Sequence, residues 1–254
     1  MAAHRVPEGP PPAPVVQKLR IRYARRGRLR FSSTRDFSRA LERALRRAGV
    51  PMAYSAGFHP HPRISYANGA PTGAASEAEY FEISVTERVD PDAVRAALDE
   101  ALPDGLDVLE VVTAGPGSLA DRLVASVWRL EFPGVAVEEV TGGIRALRAQ
   151  PEALVTRTFK TGPKTFDVLP PILSVDVSQD ESDPAEQSPC AILTMVVRHT
   201  TPATRPDDVL TALHAIGFAP VRPPRVTRLA QGPVTDGGAG VADPLAADKD
   251  SVAS

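Results

Sequence analysis

Apolar and polar positions alternate first at residues 17–25, QKLRIRYAR, where Leu19, Ile21 and Tyr23 fall on one face and Lys18, Arg20 and Arg22 on the other. Period two with one apolar side predicts a strand with a wet, basic face. The period then changes. Phe37, Ala40, Leu41, Ala44, Leu45 and Ala48 recur at the three- and four-residue spacing of a helix with one buried stripe. Ser33 followed by Asp36 is the start signal, and Arg46, Arg47, Gly49 and Pro51 form the stop signal. A short extended piece follows at 52–55, then a long loop to Ala75. Alternation returns at 79–85, with Phe81, Ile83 and Val85 opposite Tyr80, Glu82 and Ser84. Asp90 and Pro91 open a second helix whose stripe is Val94, Ala97, Leu98 and Ala101, and 106–112 reads as a further strand.

The order strand, helix, two strands, helix, strand predicts a ferredoxin-like unit. The second half repeats it. A strand is expected at 124–132 and a helix at 137–149. Strand candidates lie at 153–159 and 191–199, and a helix follows from about Arg205 to Ile216. The run 168–177 reads either as another strand or as part of an excursion. The segment DPDAVRAAL (90–98) resembles RPDDVLTAL (205–213). The expected fold class is therefore α+β, with two ferredoxin-like (βαββαβ) modules in tandem. Residues 16–115 form the first and 122–230 the second, more divergent one, which carries an acidic loop near 179–188. A Pro-rich leader (1–15) and a tail (231–254) lack apolar periodicity and are expected to be disordered and dispensable for folding.

Charge alters this picture more than composition does. The chain has 254 residues, a formal net charge of −2 and 43% apolar residues, which is ordinary for a globular protein. Yet the stretch from Lys18 to Arg63 holds thirteen Lys or Arg against two acids, Asp36 and Glu42. Arg35, Arg39, Arg43, Arg46 and Arg47 fall on the outward face of the first helix, with Arg30 before it. Such a face is either solvated surface or a site for phosphates and other polyanions. The single cysteine, Cys190, excludes an intramolecular disulfide and a three-cysteine iron–sulfur motif within this chain. It fits a reducing cytoplasm, the expected location, and packing in an apolar strand. The first fifteen residues lack the apolar region of a signal peptide, and no stretch approaches a membrane span.

The loop after the helix carries the remaining chemistry. It places Tyr54, Ser55, Phe58, His59, His61, Arg63 and Tyr66 among the basic residues, an interleaving that suits stacking on unpaired bases. Ser65 and Ser76 could bind phosphate or cap turns. Glu77 and Glu79 share one face of a strand start. Two histidines and a carboxylate are metal-ligand types, but nothing in the spacing fixes His59 and His61 near Glu77 or Glu79. The carboxylates could equally pair with nearby arginines, so no metal is assigned. Gly57, Gly69 and Gly73 do not form a phosphate-loop motif, and no nucleophile stands beside a base, so catalytic residues are not assigned.

The motifs Tyr54-Ser55-x-Gly57-Phe58, Pro60-His61-Pro62, Gly73 and Ser76-Glu77-x-Glu79-Tyr80, preceded by RFSSTRDFSRALERALRRAG, resemble the radical SAM-linked protein family. This is a domain of unknown function fused to, or encoded beside, a cobalamin-type radical SAM protein. The likeness is close over residues 18–113 and looser beyond. Where many relatives have a Ser-His pair, this chain has Ser33-Thr34, so no role of that histidine transfers. The resemblance implies an accessory unit without a cofactor of its own. The iron–sulfur cluster and S-adenosylmethionine would belong to a radical SAM enzyme on another polypeptide. Two function classes follow: a module that binds RNA or presents a substrate to that enzyme, and an RNA-processing enzyme by fold analogy. A purely structural subunit that docks the partner is a third.

Overall fold

The computed structural model describes residues 12–180 and 189–250. The chain is a mixed α/β protein with six α-helices among the described residues. It divides into two compact units: one comprises residues up to 72, 77–121 and those from 245, the other 73–76 and 122–244. Most of the acidic loop (181–188) and of the leader (1–11) lies outside the described residues.

In the first unit, β1 (Gln17–Arg25), α1 (Thr34–Arg47), β2 (Ile64–Ala67), β3 (Ala75–Val85), α2 (Pro91–Ala101) and β4 (Val108–Thr113) follow one another. A one-turn helix, α3 (Leu119–Arg122), comes after them. The strand order is β4-β1-β3-β2. β1 runs antiparallel to β4, with Leu19 opposite Thr113, and β2 antiparallel to β3, with Ser65 opposite Glu82. Leu19, Ile21 and Tyr23 of β1 and Phe81, Ile83 and Val85 of β3 form one buried cluster with Phe37, Leu41 and Leu45 of α1 and Val94 and Leu98 of α2. Tyr23 stacks on Phe37 with ring centroids 4.6 Å apart. Ser33 caps α1, accepting from the Asp36 amide at 3.1 Å, and Asp90 caps α2 in the same way. The second strand forms at 64–67, not at the expected 52–55. The earlier stretch makes only the isolated bridges Met52–Val85 and Tyr54–Pro62, because its amides go to separate partners: Ala53 donates to the Ser84 carbonyl and Ser55 to that of His61.

The second unit contains β5 (Ala125–Pro133), α4 (Val137–Arg148), β6 (Leu154–Phe159), β7 (Gly162–Asp167), β8 (Ile172–Gln179), β9 (Cys190–Arg198), α5 (Pro206–Ala215) and β10 (Arg225–Gly232). Its strand order is β10-β5-β9-β8, antiparallel throughout. Ala75 and Ser76, the first residues of β3, pair parallel with Thr227 and Arg228, which makes the sheet mixed. Trp128, Leu130 and Phe132 share the apolar face of β5 by period-two alternation and are buried. Phe218 packs edge-on to Phe132 at 5.9 Å. Gly143 of α4 is what admits it, since a Cβ there would stand 3.0 Å from the Phe218 ring.

Three expectations are corrected. The strand at 154–159 leaves the sheet and pairs only with β7, so β8 takes its place. A strand absent from the sequence reading, β10, occupies 225–232. Residues 232–250 are not a disordered tail. They include α6 (Ala246–Asp250), and Leu245 and Asp248 are fully buried.

The tail docks because β1 is not wet along its whole polar face. Arg20 is 1% exposed. Its Nη1 donates to both carboxylate oxygens of Asp248 at 2.7 and 2.9 Å, its Nε donates to Glu82 at 3.1 Å, and its Nη2 donates to the Gly117 carbonyl. Asp248 also accepts from the Gly115 amide at 2.8 Å. A Cβ on residue 115 would lie 2.9 Å from that carboxylate, so any side chain there would push Asp248 away from its partners. Desolvation alone would lower the pKa of Arg20. The hydrogen bonds and charges of Asp248 and Glu82 outweigh it and raise the pKa above the ordinary arginine value.

Asp248→Ala leaves the Arg20 guanidinium buried with half its partners gone, an effect of about 3 kcal/mol. Urea unfolding should therefore show a marked fall in midpoint for Asp248→Ala. Lys249→Ala, whose half-exposed ammonium pairs with Glu110, should change it by less than about 1 kcal/mol. Equal, small effects would mean that the tail does not stabilise the fold.

Candidate nucleic-acid interface

The α1 helix turns its apolar stripe inward and leaves Arg35, Arg39, Arg43, Arg46 and Arg47 exposed. Two of these are engaged locally. Arg46 approaches Glu42 at 3.8 Å, and Arg47 donates to the Ala101 carbonyl at the end of α2. Arg35, Arg39 and Arg43 have no ion-pair partner among the described residues. A turn of 3-10 helix, Gly27–Phe31, precedes α1. It holds Phe31 59% exposed, with the half-buried Arg30 guanidinium 4.7 Å from the ring centroid.

The loop after α1 is closed on itself. The Ser55 amide donates to the His61 carbonyl at 2.9 Å, and the His61 amide donates back to Ser55 Oγ at 3.0 Å. The Arg63 amide donates to the Ala53 carbonyl at 2.8 Å. Between these clasps the chain turns at Gly57, whose φ of 126° favours glycine. Tyr54, Phe58, His59, His61 and Arg63 are all exposed, Phe58 at 61%. Tyr66 of β2 joins the loop to α1. It meets Phe37 edge-on at 6.0 Å, and its hydroxyl bonds Ser38. Burial raises its pKa, the Ser38 bond opposes this, and the Glu42 charge adds to the rise.

The other candidates have different duties. Glu77 is half-buried and pairs with Arg26, whose Nε lies 2.7 Å from Oε1. Arg26 also reaches Asp107. Glu77 first and Asp107 second hold the Arg26 pKa well above its ordinary value against desolvation. Glu79 is buried and accepts from the Ala70 amide at 3.1 Å, while Arg25 donates to the Ala70 and Pro71 carbonyls at 2.9 and 3.0 Å. Ser76 is fully buried, 3.4 Å from Arg228 Nε. Ser76, Glu77 and Glu79 thus anchor backbone and arginines, and do not join His59 and His61. No group of three or more His, Cys, Asp or Glu able to hold a metal occurs among the described residues.

Phe31 was missed in the sequence. Its signal was an aromatic outside the apolar stripe of α1 and directly after an arginine. The sequence also gave no sign of a cavity of about 460 Å³ in the first unit, bordered by Lys18, Arg20, Ser65, Glu82 and residues 115–120. Its border brings together residues 65, 82 and 115–120, far apart in the chain.

The site is thus an exposed basic helix beside a closed, aromatic and histidine-bearing loop in a mixed α/β protein. The chain belongs to the bacterial family described as "Uncharacterized protein conserved in bacteria (DUF2344)", whose model matches residues 18–206. No curated protein matches it. Among solved structures, a variant of Rhodococcus jostii RHA1 DypB in complex with heme aligns over 85% of this chain and 91% of its own, at 10% identity and a TM-score of 0.23. A likeness that slight carries no argument about fold or ligand. No helix among the described residues is long and apolar enough to cross a membrane.

Glu79→Ala orphans the Ala70 amide, at a cost of about 1–3 kcal/mol, and should loosen residues 68–71. Amide exchange at Ala70 should accelerate, while Glu79→Gln, which keeps an acceptor, should largely preserve protection. Unchanged exchange in Glu79→Ala would show that Arg25 alone holds the loop.

Proposed function

We propose that this protein is a non-catalytic RNA-binding module that serves a separate radical SAM enzyme. The observation that carries the RNA reading is the coincidence of Arg35, Arg39 and Arg43, without ion-pair partners among the described residues, with exposed Phe31, Tyr54, Phe58 and Tyr66 in one unit. Arginines without carboxylate partners attract phosphate, and exposed rings offer faces to unpaired bases. Both are costly as plain surface. Large exposed aromatics invite association, and like charges along one helix face repel.

The partner enzyme is inferred from the family motifs around Tyr54–Pro62 and Ser76–Tyr80 and from the single cysteine. A cluster ligated by three cysteines cannot sit within these 254 residues. The ferredoxin-like reading is supported by the order β4-β1-β3-β2 in the first unit and β10-β5-β9-β8 in the second. In each, the strands and two helices fall in βαββαβ succession once β6 and β7 are set aside as an insertion. The enzyme reading has less support. His59 and His61 are exposed, and among the described residues neither imidazole is hydrogen-bonded to a serine, cysteine or carboxylate; Ser55 meets only the His61 backbone. The pair Ser126–His199, at 2.8 Å in the second unit, joins a buried serine to a half-buried histidine whose pKa is lowered by desolvation.

The test is filter binding of single-stranded RNA across a salt series. Wild type should lose affinity steeply as salt rises. Replacing Arg39, Arg43 and Arg46 with Glu should abolish binding at moderate salt and lower the log–log slope by about 2. His61→Ala should lose at most some affinity and no turnover. Equal retention by wild type and the triple variant would refute the RNA reading of α1.

A further inference from the structure

The strand order of the second unit ends at β8, and no strand among the described residues pairs with its outer edge. The Asp180 amide donates to the Cys190 carbonyl at 2.9 Å. Antiparallel ladders alternate in steps of two, so Ser174, Asp176 and Ser178 turn their backbone groups toward β9, and Val175, Val177 and Gln179 turn theirs outward. A bulge between Ile172 and Ser174 confines this open ladder to the stretch from Val175 onward. A row of unpaired amides and carbonyls is a template for another strand.

Beside that edge lies an apolar cavity of about 140 Å³, lined by Ile144 and Leu147 of α4, Ile172 and Val175 of β8, Met195 of β9 and Val209 of α5. Its mouth is at the surface, where Arg148 is exposed and Ile172 and Val175 are half-buried. Cavities of this size and lining take a group as large as benzene. Val175 faces the helices with Met195, its partner in register, so Asp176 points to the other side of the sheet.

The helix beside the edge supplies charge. β9 is antiparallel to both β5 and β8, so β8 is parallel to β5 and α4 runs back between them. Arg148, in the last turn of α4, therefore lies by the start of β8, and Arg145 lies farther along it. On the helical wheel both fall on the flank of α4 away from Gly143, the position that meets Phe218. Both are exposed, and neither has an ion-pair partner among the described residues.

We infer that this edge receives an extended segment of a partner protein, in which an apolar residue has acidic residues two positions away. The segment adds as a strand, its backbone pairing with Val175 and Val177. A residue placed beside Val175 shares its face and directs an apolar side chain over the cavity. Acidic residues two positions on then share that face and meet the arginine flank of α4. A second copy of this chain fits less well. Paired edge to edge, it brings Val175, Val177 and Gln179 to the helix-facing side and no carboxylate to Arg145 or Arg148. The edge belongs to the second unit and is independent of the RNA reading of α1.

The test is fluorescence anisotropy of the full chain with a labelled peptide, TETLTET. Its central leucine and flanking glutamates share one face, and its palindromic sequence allows either strand direction. Wild type should bind it. The charge-reversed peptide TKTLTKT and the truncated TETATET should each bind more weakly by about tenfold or more. Arg145→Glu with Arg148→Glu should lose TETLTET by a similar factor and gain affinity for TKTLTKT, a reversal that a merely loosened chain cannot give. Val177→Pro removes an outward amide from an edge strand and leaves the ladder to β9 intact. It should abolish binding while circular dichroism and melting temperature stay close to wild type. Equal binding of TETLTET and TKTLTKT by wild type, or no binding of TETLTET at millimolar concentration, would overturn the proposal. So would a dimer in sedimentation that Val177→Pro dissolves, which would give the edge to a second copy. The α1 reading is judged separately, on single-stranded RNA with the triple Glu variant.

Discussion

The buried Arg20 guanidinium is the constraint on which the first unit depends. A charge removed from water must be matched by partners, and Arg20 is matched by three different segments: Glu82 on β3, the 115–117 turn and Asp248 of α6. Such a network contributes little net stability compared with an apolar replacement, but it is highly intolerant of losing one member. It therefore fixes where α6 returns to β1 and makes residue 115 a tight position for any side chain. One arginine in the first strand thereby orders a helix 228 residues later.

Arginine plays two opposite parts in this molecule. Arg20, Arg22, Arg25 and Arg26 are committed to carboxylates or backbone carbonyls of the first unit. Arg35, Arg39 and Arg43, a few residues on, meet only solvent among the described residues. Counting thirteen basic residues treats these groups alike, whereas only the second is available to a ligand. The effective patch is therefore smaller than the count, and it centres on α1, with the aromatic loop after it.

Local signals were legible and long-range ones were not. The buried stripe, cap and stop of α1 lie within twenty residues of one another and could be read directly, as could β1, α2 and β4. β2 was displaced because the more apolar stretch before it spends its hydrogen bonds partly on closing the loop, Ser55 with His61 and Ala53 with Arg63, and makes only isolated bridges. The tail misled because α6 has a single turn, too short for periodicity, and its anchor is one carboxylate whose partner is on β1. β6 reads as a sheet strand by composition; only the competing β8, in register with β9, shows that it is excluded. At the candidate site, exposure of Tyr54, Phe58, His59 and His61 followed from the loop's composition. The anchoring duties of Ser76 and Glu79 did not, because their partners, Arg228 and the Ala70 amide, are set by tertiary structure.

Whether unpaired nucleic acid meets the aromatic loop can be measured directly by ultraviolet crosslinking of the full chain to single-stranded RNA, with the modified peptides mapped by mass spectrometry. A base stacked on an exposed ring crosslinks to that ring. The account predicts adducts concentrated at Phe31, Tyr54, Phe58 and Tyr66. Efficient crosslinking that spares all four and falls elsewhere in the chain would contradict it.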